Sequence, residues 1–514
     1  MNWRWRPLVV TFLLPWVAKA HVGSPDVFSD GLVGPYPARI TIRMPSVVPG
    51  RAEISVRVQS DRPVEVSFLP LYSRTPVTNA PPADPGFPVF GETNLYSGEL
   101  WLMSFGAYSV EVRIKGQAGE GIVEIPVNSV ALKQLPLPRH LAEILLVLGA
   151  ILILGGLGIL KAAAGESVLA PGVEPGNAER RKAWKAVTVT AVIFALLLIG
   201  GKRWWDKEET VFRRHLREGA WPDLATEVRR EGSQRILRLT LGKKDFGPDY
   251  FIPLLPDHGK LLHLFLIREP ARDAMAHLHP VRTGGKTFEV ALPPLPEGRY
   301  KVLCDLTIEG SGVSSTATNS VDVPAVPDAP SAPIVLQSDP DDSWSFYSAS
   351  AVSGSAASNS IYLLPEGEQV IWKPHSPLRV NHDASLRFEV QDATGHPVGL
   401  EPYMGMMSHA AVLKSDGTVF DHLHPSGNFS MAARSFFEAK KQSESPAGLV
   451  DAAMPAGMDH SKMGHSMHYM ASPVGVSTVY LPYEFPSPGE YRIWVQFKIA
   501  GKVMTSVFDT SVEQ

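Results

Sequence analysis

A histidine pattern occurs twice in this chain, and the repeat constrains the fold more than any other feature. The first copy is His263, thirteen residues, then His277-Leu278-His279-Pro280; the second is His409, twelve residues, then His422-Leu423-His424-Pro425. Each copy is followed by a turn and an apolar run, Glu297-Gly298-Arg299-Tyr300-Lys301-Val302 in one and Pro488-Gly489-Glu490-Tyr491-Arg492-Ile493 in the other. Three matching landmarks in the same order predict two related domains, each bringing three imidazoles within reach of one another.

The surrounding chemistry is that of strands. Pro (45) and Gly (43) punctuate short runs rich in Val, Ile, Tyr and Phe, which reads as β-sandwich and not as disorder. A His-x-His pair on a strand sends both side chains to one face, because the pleat repeats every two residues. A third histidine on a neighbouring strand completes a three-nitrogen set suited to Cu(II) or Zn(II) with an open position. The same residues have a structural reading: paired histidines at strand ends also stiffen loops, and Pro280 and Pro425 mark loop entries. Spacing alone leaves both readings open.

A Met/His-rich stretch inside the second histidine domain favours copper. It holds Met454, Met458, His460, Met463, His465, Met467, His468 and Met470, interleaved with Gly, Ser and Asp. Little else there is apolar, so the methionines make a poor core, and several thioethers together are soft ligands that select Cu(I). The competing reading is a low-complexity loop whose methionines cover an apolar patch. Met404, Met406 and Met407 precede His409 and extend the soft surface. Cleavage after Ala20 would leave His21 first, where imidazole and α-amine could chelate one copper ion, although no second histidine occurs before His140 to complete a brace.

The compartment follows from the first two hundred residues. Arg4 and Arg6 precede an apolar stretch from Leu8 to Val17, and Ala18-Lys19-Ala20 supplies small residues for a signal peptidase. Residues 141–160 and 184–201 then read as two membrane spans, the second flanked by Trp184, Trp204 and Trp205. A signal peptide (1–20) places the β domains in the periplasm or exterior and residues 161–183 in the cytoplasm. Arg180, Arg181 and Lys182 agree with that orientation, whereas Lys202, Arg203, Arg213 and Arg214 do not.

The expected fold class is mainly β: three immunoglobulin-like β-sandwich domains plus two transmembrane helices. The boundaries run 21–130 for the first sandwich, 204–232 for a stalk and 233–325 for the first histidine domain. A linker follows at 326–342, then the second histidine domain at 343–514 with an insertion at 426–472. A formal charge of −4 offers no basic surface for nucleic acid. Cys304 has no intrachain partner and reads as a small buried hydrophobe.

The segment Pro256-Asp257-His258-Gly259-Lys260-Leu261-Leu262-His263-Leu264 with Ala276-His277-Leu278-His279-Pro280 resembles the YtkA-like domains of bacterial envelope proteins. Ser408-His409-Ala410-Ala411-Val412 through His422-Leu423-His424-Pro425 is similar. The resemblance covers both histidine domains and implies small exported β-sandwiches, related to envelope sandwiches that include copper carriers. The plan of leader, β domain, two spans and further β domains is also similar to the B subunit of particulate methane monooxygenase, in architecture only, because the first domain here lacks that family's His-x-His.

The expected protein is an integral membrane protein that binds copper for delivery, buffering or tolerance, with an envelope protein as candidate partner. The alternative is a metal-free interaction scaffold with structural histidines. Enzyme motifs are missing: no phosphate-binding glycine loop, nucleophile elbow or helical His-Glu-x-x-His occurs, which leaves a copper monooxygenase component as the minor reading.

Overall fold

The computed structural model describes residues 25–514 apart from 61, 134, 171, 219–221, 233, 243–249, 326–335, 347–359, 375–376, 385 and 445–475. The leader, His21 and the whole of Met454–Met470 lie outside the described residues. The fold is mainly β, with antiparallel sheets and two long apolar helices. It divides into two units, 131–218 and the remainder.

The smaller unit is a pair of helices, α1 (Arg139–Glu166) and α2 (Asn177–Glu218), both long and apolar enough to cross a membrane. Leu146, Leu154, Leu197 and Leu198 are exposed along them, as side chains facing lipid would be. The helices meet closely where Gly165 faces Ala183, a contact that a larger residue at either position would push apart. They run past the expected spans at both ends, so the loop expected at 161–183 shrinks to 167–176. An apolar count marks only the part that crosses hydrocarbon, and polar helix continues beyond it.

In the larger unit, eight strands from Val27 to Ser129 form one antiparallel sheet folded about the short strand Asp84–Pro88, which pairs with Glu65–Tyr72 on one side and Leu95–Leu102 on the other. Alternate residues of Gly50–Val58 point inward, and Ala52, Ile54, Val56 and Val58 are buried in the core.

The first histidine domain is two sheets around Leu237, Leu239, Leu264, Leu266, Phe288 and Val302. Its limits differ from those expected. Leu224–Glu231 is not stalk but a strand paired along its length with Gln234–Leu241; its charged residues lie on a sheet edge. Ser343–Phe346 pairs with Ala274–Leu278 and so belongs to this domain, not the next. The described end of the expected linker is docked, with Leu336 exchanging two hydrogen bonds with the Gln234 side chain. The second histidine domain repeats the plan around Val370, Trp372, Phe388, Val412, Ile493 and Phe508.

The two domains pack sheet against sheet through the strands that carry the repeat. In His263–Glu269, Leu264 and Leu266 enter the domain's own core, while Phe265 and Ile267 face the other domain. In His409–Lys414, Ala410 and Val412 point inward and Ala411 and Leu413 face across. Met275, Leu303, Phe420, Trp494 and Val507 complete this shared layer. The registers match: Phe265 pairs with His277 and Leu303, and Ala411 pairs with His422 and Trp494. The two domains are therefore related by a pseudo-twofold, and the histidines stand on the faces turned toward each other.

The expected insertion opens with helix α3 (Met431–Glu444), whose Ser430 hydroxyl accepts from the Ala433 N–H at 3.2 Å as an N-cap. The Lys441 ammonium donates to Glu124 at 2.9 Å and to Glu111, two nearly buried carboxylates of the N-terminal domain. Removing the cation leaves both carboxylates short of a partner. Lys441→Met is expected to cost about 2 kcal/mol, discounted because the lysine is a third exposed. Thermal unfolding should show the loss, and adding Glu111→Gln with Glu124→Gln should restore most of it.

Candidate metal centre

All six histidines of the repeat converge between the two domains, joined by a seventh, His258. Ring centroids of His263 lie 5.4 Å from His277, 5.2 Å from His279 and 5.3 Å from His422. Those of His258 lie 5.5 Å from His409 and 5.0 Å from His424. The expected triplets, one per domain, are thus exchanged at the interface. His422 of the second domain leans on the first domain's set, and His258 of the first domain completes a set with His409 and His424.

His258 sits in the turn Asp257–Lys260 at φ +50°, five residues before His263. The matching turn of the second domain is Tyr403–Met406, with Met404 at φ +48°, five residues before His409. The repeat therefore carries histidine at this position in one copy and methionine in the other, which hides His258 from a search for matching histidines.

The hydrogen-bond network assigns the ring protons of the first set. His263 Nε2 lies 3.1 Å from the Asp257 carbonyl oxygen, which can only accept, so the proton is on Nε2 and the lone pair on Nδ1. His277 Nδ1 donates to Gln496 Oε1 at 2.9 Å, and the Gln496 amide nitrogen is turned to Ser343 Oγ. Its lone pair is on Nε2. His279 Nδ1 donates to Asp342 at 3.1 Å, and His422 Nδ1 faces Asp305 at 3.4 Å, leaving the Nε2 atoms of both rings buried without a hydrogen-bond partner.

His263 Nδ1 and His277 Nε2 consequently face each other at 3.2 Å with a lone pair on each and no proton between them. Burial holds both imidazoles well below the ordinary histidine range, and neighbouring imidazoles push them further, so neither ring is charged at neutral pH. Two facing acceptors repel unless a cation lies between them. The separation also suits one: metal–nitrogen bonds of about 2.0–2.1 Å give a tetrahedral edge of about 3.3 Å.

Every ring of this set is oriented by an acceptor behind it, the arrangement that fixes tautomer and aim in protein metal sites. Two of these acceptors obey the pseudo-twofold. Asp305 stands opposite His263 in register and Gln496 opposite His409. Each reaches across the interface, Asp305 to His422 and Gln496 to His277. Asp339 and Asp342 also lie close to His279, but Lys260 is bonded to Asp339 at 2.6 Å and lies 3.2 Å from Asp341. That acidic group is already balanced by an ammonium and supports the histidine.

A pocket of about 170 Å³ opens onto the cluster where the three β domains meet, lined by His263, His422 and His424 with Asp257, Asp305 and Asp421. Carboxylates at its wall favour a cation on the way in. Cys304 is fully buried in the first histidine domain's core, where burial pushes its thiol up out of the reactive range, and takes no part.

Residues 364–514 match the family model described as Domain of unknown function (DUF8832). No curated protein matches the chain. Among solved structures, a protein from Corynebacterium diphtheriae described as membrane anchored aligns at 9% identity over 94% of this chain and 95% of that one, with a TM-score of 0.13, too weak a superposition to bear on the fold.

Proposed function

We propose that this chain is a membrane-anchored envelope protein that holds a copper ion between its two histidine domains and serves in copper delivery, buffering or tolerance. The observation that carries the reading is the pair of lone-pair nitrogens on His263 and His277, facing each other at 3.2 Å in a buried set of imidazoles. An all-nitrogen set suits Cu(II), Cu(I) or Zn(II). The thioethers and imidazoles from Met454 to Met470 tilt the choice to copper, and the resemblance to YtkA-like envelope domains points the same way. The two apolar helices supply the anchor, and the leader-like start supports β domains on the outer side.

The test is metal analysis of the full-length protein in detergent after exposure to Cu(I), Cu(II) or Zn(II) and removal of the excess. Copper retained by the native chain and reduced in His277→Ala/His279→Ala is the expected result. No retained metal, with the variant merely less stable, would make the cluster structural and leave an interaction scaffold. Substituting the eight Met and His residues of 454–470 should lower Cu(I) uptake and leave Cu(II) uptake in place.

A further inference from the structure

We infer that the cluster is a binuclear centre, holding a second metal ion on His258, His409 and His424 beside the one on His263, His277, His279 and His422; this rests on the metal-binding reading above. Seven imidazoles meet in one enclosed space, whereas protein sites for these ions take about three or four such nitrogens. The surplus has the geometry of a site. The candidate ligand atoms of His258, His409 and His424 lie within 4.8 Å of one another.

The second set also has its own unmet demand. His409 and His424 are 0% and 4% exposed, and neither nitrogen of either ring has a hydrogen-bond partner. A structural histidine in a core is held by such partners, and a buried polar atom without one is destabilising. An ion would take one nitrogen from each ring, two of the four atoms that packing leaves without a partner.

The two sets adjoin, with ring centroids of His258 and His263 6.2 Å apart and those of His409 and His422 5.6 Å apart. The Asp257 carboxylate lies beside His258 of one set and that of Asp305 beside His422 of the other, and the two charges offset the repulsion between two cations. The pocket touches His263 and His422 of one set and His424 of the other. A small anion such as hydroxide entering there meets both ions, which defines the ligand class of the centre: a small bridging anion.

The experiment uses the full-length protein in detergent with His21, His460, His465 and His468 changed to Ala, so that only the cluster is counted. After Cu(II) loading and desalting, two coppers per chain are expected, with an electron paramagnetic resonance intensity well below that of two isolated Cu(II) ions. Azide, the probe for a bridging anion, should change that spectrum. His409→Gln/His424→Gln and His277→Gln/His279→Gln should each keep one copper with a full, uncoupled signal, and circular dichroism should match the parent. One copper per chain, abolished by either pair, would overturn the binuclear centre and leave the metal-binding reading standing. Two uncoupled coppers indifferent to His409 and His424 would also overturn it. No copper at all would remove both.

Discussion

Acidifying the metal-free protein from pH 7 to pH 5 is expected to destabilise it progressively, because buried histidines that stay neutral in the fold take up protons once the chain unfolds. His258, His263, His277, His409 and His424 all have folded-state pKa values pushed down, first by burial and then by one another. In the unfolded chain each titrates near 6.5. Above that pH both states are neutral and the histidines do not affect the balance. Below it the unfolded chain takes up protons that the folded chain refuses, so stability falls with pH. Each such histidine contributes about 1.4 kcal/mol per pH unit until its depressed folded pKa is reached.

The thermal unfolding midpoint should therefore be flat above about pH 7 and drop steeply between 6.5 and 5. Replacing His409 and His424 by Gln, which cannot be protonated, should flatten the slope. Bound copper should raise the midpoint at neutral pH, because the cluster that holds it is assembled only in the folded state; an excess of a thousandfold over Kd is worth at most about 4 kcal/mol. Protons compete for the same lone pairs, so that gain should vanish over the same acidic window. A metal-free midpoint unchanged down to pH 5 would mean the imidazoles are open to solvent, contrary to the enclosure described here.

The six repeat histidines were legible because a duplicated spacing survives without any knowledge of the fold. Their exchange across an interface was not. Leu264, Phe265, Leu266 and Ile267 are apolar on both faces of the strand, which announces that both faces are covered but not by what. The acceptors Asp305 and Gln496 acquire meaning only through register, since nothing in the linear sequence sets them opposite a histidine. His258 is obscured by Met404 in the other copy, although the shared Asp257/Tyr403 turns would have revealed the position to an alignment of the two halves. The charged run Leu224–Glu231 read as stalk because an edge strand exposes one face and resembles a solvated helix in composition. The apolar spans were legible directly, as bilayer thickness dictates their length.

Asp342→Ala is expected to weaken retention of the first ion 10- to 100-fold, about 1.4–2.8 kcal/mol, without touching any ligand. One oxygen of Asp342 accepts from both the His279 backbone N–H at 2.8 Å and its Nδ1–H at 3.1 Å. The other accepts from the Asp339 N–H at 3.0 Å, which ties the carboxylate into a loop anchored by Lys260. That single carboxylate fixes the tautomer, the rotation of the ring and the aim of Nε2. Alanine leaves the imidazole free to turn or to carry its proton on the wrong nitrogen, and either change withdraws a donor from the set. Asparagine preserves one acceptor but not the charge, and should fall between wild type and alanine. Lys260→Met relaxes the loop one step further out, so its effect should be smaller than that of either. Competition titration against a chelator of known affinity measures all three. An undiminished affinity in Asp342→Ala would place His279 outside the ligand set and leave His263, His277 and His422 to hold the ion.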